Sequence, residues 1–363
     1  MKIPLAKPFI PNTVLKEMKS LIKKGFLTEG NYTKAFEKYV KEFINCKYCI
    51  TFTSATTALE ATIRALNLKS TDEIIAPNFS YPATISPALI NNIKIKLIDV
   101  DINDYNICIK DLENNITKKT KAIIPVSVFG NSLQYDKLLK LRKKYNFKII
   151  EDAAAALGTS YKNIKVGNFA DFTIFSFHPR KSITTGEGGI VTTKKKSEAK
   201  WLKMFKSFGL MNNKKSKFEI VGSNLKMSNI NALFGIKQIQ IYEKILKQKK
   251  NLAKNYIEQL SGCKNIQIQK STLGSEHSYQ TFCITVENRD QIIKKMRKDG
   301  IETQIGYYAL SEQNAFRNNK NVSFSRTLQN SLFLAKHTLA LPLYYEMKVS
   351  EQNYVIKSLK KYI

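Results

Sequence analysis

The chain has 363 residues, 43% of them hydrophobic, and a formal net charge of +30. That length buries a full core, which excludes a peptide-sized binding module. It suggests a large domain over 1–240 with an N-terminal arm over 1–30, then a smaller domain over 241–363. No apolar stretch reaches the roughly 20 residues that span a bilayer and Met1-Lys2-Ile3-Pro4 has no signal-peptide core, so a cytoplasmic protein with no membrane partner is expected.

The charge excess is almost all lysine, spread along the chain among abundant Ile and Asn, while arginine is scarce. Arginine is the residue suited to bidentate contacts with phosphates and bases. No specific nucleic-acid partner is therefore expected, only adhesion to polyanions that salt should weaken.

In chain order, the first 30 residues are expected to drape over one of the domains. From about residue 48 to 195, short apolar runs alternate with amphipathic stretches, as in an open, mostly parallel sheet flanked by helices. The predicted strands are 48–52, 73–76, 94–99, 122–128, 147–151, 172–177 and 189–193, with a helix over 57–66. That helix follows Ser54 and Thr56, so its unpaired N–H groups are presented just after a strand. Cys46 and Cys49 form a CxxC near the first strand, without the second CxxC or His pair of a metal site. No metal is expected there; Cys49 lies in an apolar run and fits a buried core thiol. The odd total of five cysteines fits reduced thiols. Several strands carry polar residues at or near their carboxyl ends, including Ser54, Asn78, Asp152 and Ser176. In open α/β sheets ligands bind beyond those ends, so these residues are candidates to converge on one site. Residues 228–260 form one long lysine-rich helical pattern, apolar on two sides, as suits a domain or subunit boundary. The remainder alternates strand-like 281–286 with helix-like 290–298, a small α+β unit.

Two clusters carry chemistry. Phe175-Ser176-Phe177-His178-Pro179-Arg180-Lys181-Ser182-Ile183-Thr184-Thr185-Gly186-Glu187-Gly188-Gly189 puts a lone lysine in a polar, glycine-rich turn between apolar strands. A lysine withdrawn from water near other cations loses its proton readily and becomes an amine nucleophile toward a carbonyl. Ile149-Ile150-Glu151-Asp152-Ala153-Ala154-Ala155 ends an apolar strand with an acid pair followed by small residues, which let a flat ring approach. A buried carboxylate needs a partner, and a protonated pyridine nitrogen is suitable; the alternative is that Asp152 caps a following helix.

In this order the clusters resemble the DegT/StrS-type sugar aminotransferases, pyridoxal-phosphate enzymes of fold type I, the aspartate-aminotransferase-like α/β fold. The resemblance extends to Ile3-Pro4-Leu5-Ala6-Lys7-Pro8, Ser54-Ala55-Thr56-Thr57-Ala58-Leu59, Pro77-Asn78-Phe79-Ser80-Tyr81-Pro82-Ala83-Thr84, Gly222-Ser223-Asn224-Leu225-Lys226-Met227-Ser228 and Leu339-Ala340-Leu341-Pro342-Leu343-Tyr344. It implies that pyridoxal 5'-phosphate is the cofactor, Lys181 its Schiff-base lysine and proton carrier, and Asp152 the partner of its ring nitrogen. Ser54, Ala55, Thr56 and Ser176 would hold the phosphate, and Tyr81 would stack on the ring. Asn224 would reach the phosphate of a neighbouring subunit, implying a homodimer with shared sites.

The chain departs from the family pattern at four points. Ala55 replaces a usual glycine. Ala155 stands where a partner for the ring hydroxyl is usual. Lys226 replaces an arginine, and Gly306-Tyr307-Tyr308 replaces a common His-Tyr. Lys226, His277 and Tyr307 are the candidate substrate residues, while His178 is expected to order the turn before Lys181. The resemblance implies transfer of an amino group from L-glutamate to the keto group of a nucleotide-linked deoxysugar. A smaller ketone, such as a phosphorylated triose or a cyclitol, is the alternative acceptor, and a non-catalytic cofactor-binding regulator the alternative class.

Overall fold

The computed structural model describes residues 2–211 and 217–363, a range that holds every candidate site residue. The principal sheet has eight strands in the order Tyr48–Phe52, Gly189–Thr193, Phe172–Ser176, Lys148–Asp152, Thr120–Ile123, Glu73–Pro77, Lys94–Ile98 and Val322–Phe324. Gly189–Thr193 runs antiparallel to both neighbours, and every other pairing is parallel. Side chains alternate between the two faces of a strand, so each strand feeds two cores. Ile75, Ile123, Ile149, Phe175 and Ile190 enter one; Ile74, Ala122, Ile150, Ile174 and Val191 enter the other. Burial on both faces is why these strands are near-continuous apolar runs.

All seven strands expected in this region are present. The run expected over 122–128 is regular strand to Ile123, is interrupted at Pro125, which has no N–H to donate, and pairs again with Asp152 through a parallel bridge at Val126. The eighth strand, Val322–Phe324, was not anticipated: it comes from the C-terminal part of the chain and pairs with Lys94–Ile98. A boundary at 240/241 falls just before the helix Tyr242–Leu260. That helix starts in the first core with Tyr242, Ile245 and Leu246 and ends in a separate one with Leu252, Ala253, Tyr256 and Leu260.

The separate core is built on an antiparallel sheet ordered Ile266–Ile268, Phe282–Val286, Thr338–Leu341 and Gln304–Ile305. Helices Arg289–Lys298 and Val349–Tyr362 contribute Ile292, Met296, Val355 and Leu359 to it. The N-terminal arm touches both units. Ile3 bridges to Ile301 inside the second core, whereas helix Thr13–Lys24 packs on helix Asn229–Ile239 of the first.

The single helix expected over 228–260 is two, Asn229–Ile239 and Tyr242–Leu260. Ile241 leaves helical geometry at φ −113° and ψ 9°. Helix Asn229–Ile239 has no exposed residue and packs against helices Thr13–Lys24 and Asn31–Ile44, whereas Tyr242–Leu260 buries one stripe that runs from the first core into the second. Among the described residues, no helix is long and apolar enough to cross a membrane.

Candidate active site

The carboxyl ends of the parallel strands open onto a cavity of about 280 Å³ between the two units. Ser54, Ala55, Thr56, Tyr81, Asp152, Ser176, Lys181 and Tyr307 all line it. Strand order makes this possible: Phe172–Ser176 lies beside Lys148–Asp152, and Gly189–Thr193 carries the chain from the Lys181 turn back alongside Tyr48–Phe52.

The turn after Tyr48–Phe52 leads into helix Ala55–Ala65. Ser54 caps it: its Oγ accepts from the Thr57 N–H at 3.1 Å, and Thr57 Oγ1 accepts from the Ser54 N–H at 3.1 Å. Among the described residues the Ala55 and Thr56 N–H groups have no partner; they lie at the positive end of the helix dipole, beside the cavity. Gly189 makes room for this turn. A Cβ there would stand 2.3 Å from the Ser54 carbonyl oxygen and 2.6 Å from the Ala55 nitrogen.

The acid pair divides between the two faces of its strand. Glu151 points away from the cavity, fully buried, and accepts from Tyr135 Oη at 2.5 Å, Ser127 Oγ at 2.7 Å and Thr173 Oγ1 at 3.3 Å. Burial pushes its pKa up to about 7, and its part is structural. Asp152 faces the cavity. Its Oδ2 accepts from Thr84 Oγ1 at 2.7 Å, and Thr84 in turn shares a 2.7 Å bond with Ser80. Its Oδ1 accepts from the Ala154 N–H at 3.1 Å in a local turn, and no helix follows for it to cap. Burial raises its pKa, while the Thr84 and Ala154 donors and the Lys181 ammonium oppose the shift.

Lys181 sits in a turn held from several directions. Its N–H donates to the His178 carbonyl at 2.8 Å, and the Arg180 N–H donates to His178 Nδ1 at 3.2 Å, the turn-ordering part expected of His178. The Ser182 N–H and Oγ both donate to Gln280 Oε1, at 2.8 and 2.9 Å. Desolvation, aided by the Arg180 charge and opposed by Asp152, lowers the Lys181 pKa to about 8. A substantial part of its amine is therefore neutral near pH 8.

Beneath the turn lies Lys249, 2% exposed, donating to Ser182 Oγ at 2.8 Å and to the Gln280 carbonyl at 3.0 Å. Burial and the Lys181 charge push its pKa down to about 7. Neither Lys249 nor Thr84 was singled out from sequence. A signal for Lys249 existed, since it occupies an apolar position of its helix between Leu246 and Leu252. Thr84 closes a recognised segment but bonds across 68 residues, which no local pattern shows.

The candidate substrate residues are separated. Tyr307 lines the cavity, stacked on Phe129 at 4.8 Å between ring centres and edge-on to Phe79 at 5.8 Å. Tyr81 lines it with its ring half exposed. His277 does not line it, which corrects the expectation of a substrate contact. It is 4% exposed and stacked on Tyr279 at 4.1 Å, with Nδ1 accepting from the Tyr279 N–H at 2.8 Å and Nε2 beside Gln269. Desolvation holds its pKa near 3, so it is neutral and serves packing. Lys226 and Asn224 are also absent from this chain's cavity wall. They bond to each other, Lys226 Nζ to Asn224 Oδ1 at 2.5 Å, with Asn224 exposed. Ala155 lines the cavity with a methyl group only. Cys49 is buried in the first core, as expected of a core thiol, and Cys46 is buried there with it.

The site offers a carboxylate braced by hydroxyl and amide donors, unpaired N–H groups at a helix start, and a desolvated lysine, around one cavity. That set suits a flat cationic ring bearing a phosphate and a carbonyl carbon, which describes pyridoxal phosphate.

Comparison with known proteins agrees. Residues 9–360 match the DegT/DnrJ/EryC1/StrS aminotransferase family. A UDP-4-amino-4,6-dideoxy-N-acetyl-beta-L-altrosamine transaminase of Campylobacter jejuni is 31% identical over 92% of this chain and 90% of its own. Helicobacter pylori PseC, an aminotransferase involved in the biosynthesis of pseudoaminic acid, superposes with a TM-score of 0.94 at 25% identity, covering 99% of each chain. A Streptococcus pneumoniae protein assigned as a sugar aminotransferase, solved in its PMP form, superposes with a TM-score of 0.93 at 26% identity, covering 99% of this chain and 98% of its own.

Proposed function

The chain belongs to the DegT/DnrJ/EryC1/StrS aminotransferase family and is a pyridoxal-phosphate-dependent aminotransferase, and from that premise we propose that it moves an amino group from L-glutamate to the keto group of a nucleotide-linked deoxysugar for surface polysaccharide or a related glycan. The observation that carries the reading is the placing of Lys181 and Asp152 on one cavity with the start of helix Ala55–Ala65. The nucleotide-linked acceptor is supported by the Campylobacter relative, whose name specifies a UDP-linked amino sugar.

Bound pyridoxal phosphate supplies a carbonyl carbon for amines and, through its protonated ring, an electron sink. In this reading the Asp152 carboxylate holds the positive charge on the ring nitrogen, and Thr84 keeps that carboxylate oriented. The Ala55 and Thr56 N–H groups, with the Ser54 and Ser176 hydroxyls, hold the phosphate. Tyr81 covers one side of the ring. Lys181 Nζ would take the proton from the substrate α-carbon and deliver it to the cofactor's former carbonyl carbon, a role helped by a pKa near working pH. Tyr307 borders the space left for substrate.

Asn224 and Lys226 fit a homodimer with shared sites, in which they serve the partner's cavity, since they do not line their own. All five cysteines are free, which suits a reducing cytoplasm.

The test is the absorbance spectrum of protein incubated with pyridoxal phosphate, before and after L-glutamate, for the wild type and Lys181→Ala. A visible band that glutamate converts to a near-ultraviolet one only with Lys181 present is expected. A wild type with no cofactor band would refute the assignment of this site.

A further inference from the structure

Besides three tyrosines, five acidic or basic side chains line the cavity: Asp152, His178, Arg180, Lys181 and Glu187. Asp152 is occupied by Thr84 and Ala154, and His178 faces Glu187 at 3.8 Å. Lys181 is committed to the cofactor. Arg180 remains, the one guanidinium on this wall among the described residues and a scarce residue type in this chain. Its backbone is fixed on both sides. The N–H donates to His178 Nδ1, and the carbonyl accepts from Gln280 Nε2 at 2.8 Å. Its side chain is exposed and makes no ion pair among the described residues. Its partner is neutral, a 3.0 Å bond from one terminal nitrogen to Gln304 Oε1, and Gln304 also lines the cavity.

A guanidinium has five donors in a planar fork that matches two oxygens of one oxyanion. Here a single donor is used, and the neutral Gln304 orients the fork without neutralising it. Both substrates of the proposed reaction are oxyanions: an amino acid carries carboxylates, and a nucleotide-linked sugar carries a diphosphate. In the shared-site reading the neighbouring subunit also brings a cation, Lys226, but an ammonium is a poorer fork for such a group than a guanidinium.

We propose that Arg180, steadied by Gln304, is the substrate-oxyanion anchor of this cavity, setting which anionic substrate is held beside Lys181. This rests on the aminotransferase reading of the same site. The recognised chemistry is a bidentate oxyanion, supplied by the donor's carboxylate or the acceptor's phosphates.

Calorimetric binding to the cofactor-loaded protein tests it with two unreactive probes, glutarate for the donor and UDP for the acceptor. Arg180→Ala should weaken one of them about tenfold or more, the loss expected for a charge-assisted pair of hydrogen bonds. Arg180→Lys, which keeps charge and packing, should recover only part of the affinity because the fork is gone. Arg326→Ala makes the same charge change outside the cavity and should leave both probes unaffected. Loss confined to glutarate assigns the donor carboxylate, and loss confined to UDP assigns the phosphates. Unchanged affinity for both probes in Arg180→Ala, or a loss matched by Arg326→Ala, would overturn the proposal. Absence of a cofactor band in the wild type is a separate result, which would instead refute the reading on which it rests.

Discussion

Replacing Lys249 with methionine should stabilise the cofactor-free protein near neutral pH and flatten the pH dependence of its stability. Methionine roughly keeps the side chain's length and flexibility but removes its amine. The amine's pKa falls from 10.5 to about 7 in the fold, a difference of roughly 3.5 units or about 5 kcal/mol. Since the folded pKa lies below the unfolded one, the unfolded chain binds more protons between about pH 7 and pH 10.5. Stability from this group therefore rises with pH across that window, by about 1.4 kcal/mol per unit. Below it, the fold carries the full cost of a buried ammonium. Against the relief of that cost, methionine loses the bonds to Ser182 Oγ and the Gln280 carbonyl, about 1 kcal/mol each. The net expectation is a gain of about 3 kcal/mol at pH 7, shrinking to about zero near pH 9. Urea unfolding of both proteins at four pH values from 7 to 9.5 measures this. Parallel curves would show that Lys249 keeps an ordinary pKa and that the turn under Lys181 is less desolvated than the geometry requires.

Thr84→Val removes the 2.7 Å donor to Asp152 and should weaken cofactor binding about tenfold. Because that donor opposes protonation of Asp152, the loss of cofactor on acidification should begin at a higher pH than in the wild type, as equilibrium dialysis at several pH values would reveal. Gly189→Ala drives a methyl group into the Ser54 carbonyl, and the displaced turn should cost about 1–3 kcal/mol along with the cofactor's visible band; an unaltered band would mean that the turn yields without consequence. If sites are shared, Lys181→Ala and Asn224→Ala proteins, each inactive alone, should regain about a quarter of wild-type activity once their subunits are exchanged. No recovery on confirmed exchange would refute sharing. Adhesion to heparin from the +30 charge should be much weakened at about 0.2 M salt.

Much of the first unit was legible in the sequence, because its strands are buried on both faces and bounded by glycine, polar or amphipathic segments. Tyr48–Phe52 and Gly189–Thr193 fall where the apolar runs place them, and Lys181 and Asp152 stand out because their neighbours are small, polar or glycine. Val322–Phe324 escaped notice because a three-residue edge strand has too short a pattern and exists only through pairing with a strand more than 200 residues away. The break at Ile241 was equally hidden, since no proline or glycine marks it.

Sequence by itself determined the alternation of strand and helix and marked out the lysine and the carboxylate, because these depend on local residue type and spacing, while the cofactor followed from the family resemblance those motifs carry. Tertiary structure decided which polar groups meet. It split Glu151 from Asp152 across the sheet, gave Asp152 its Thr84 brace, hid His277 and placed Lys249 beneath Lys181. It also set Arg180 on the cavity wall with the neutral Gln304 as its side-chain partner. Such contacts join residues far apart in the chain, and burial, which sets their protonation, is a property of the packed fold rather than of any segment.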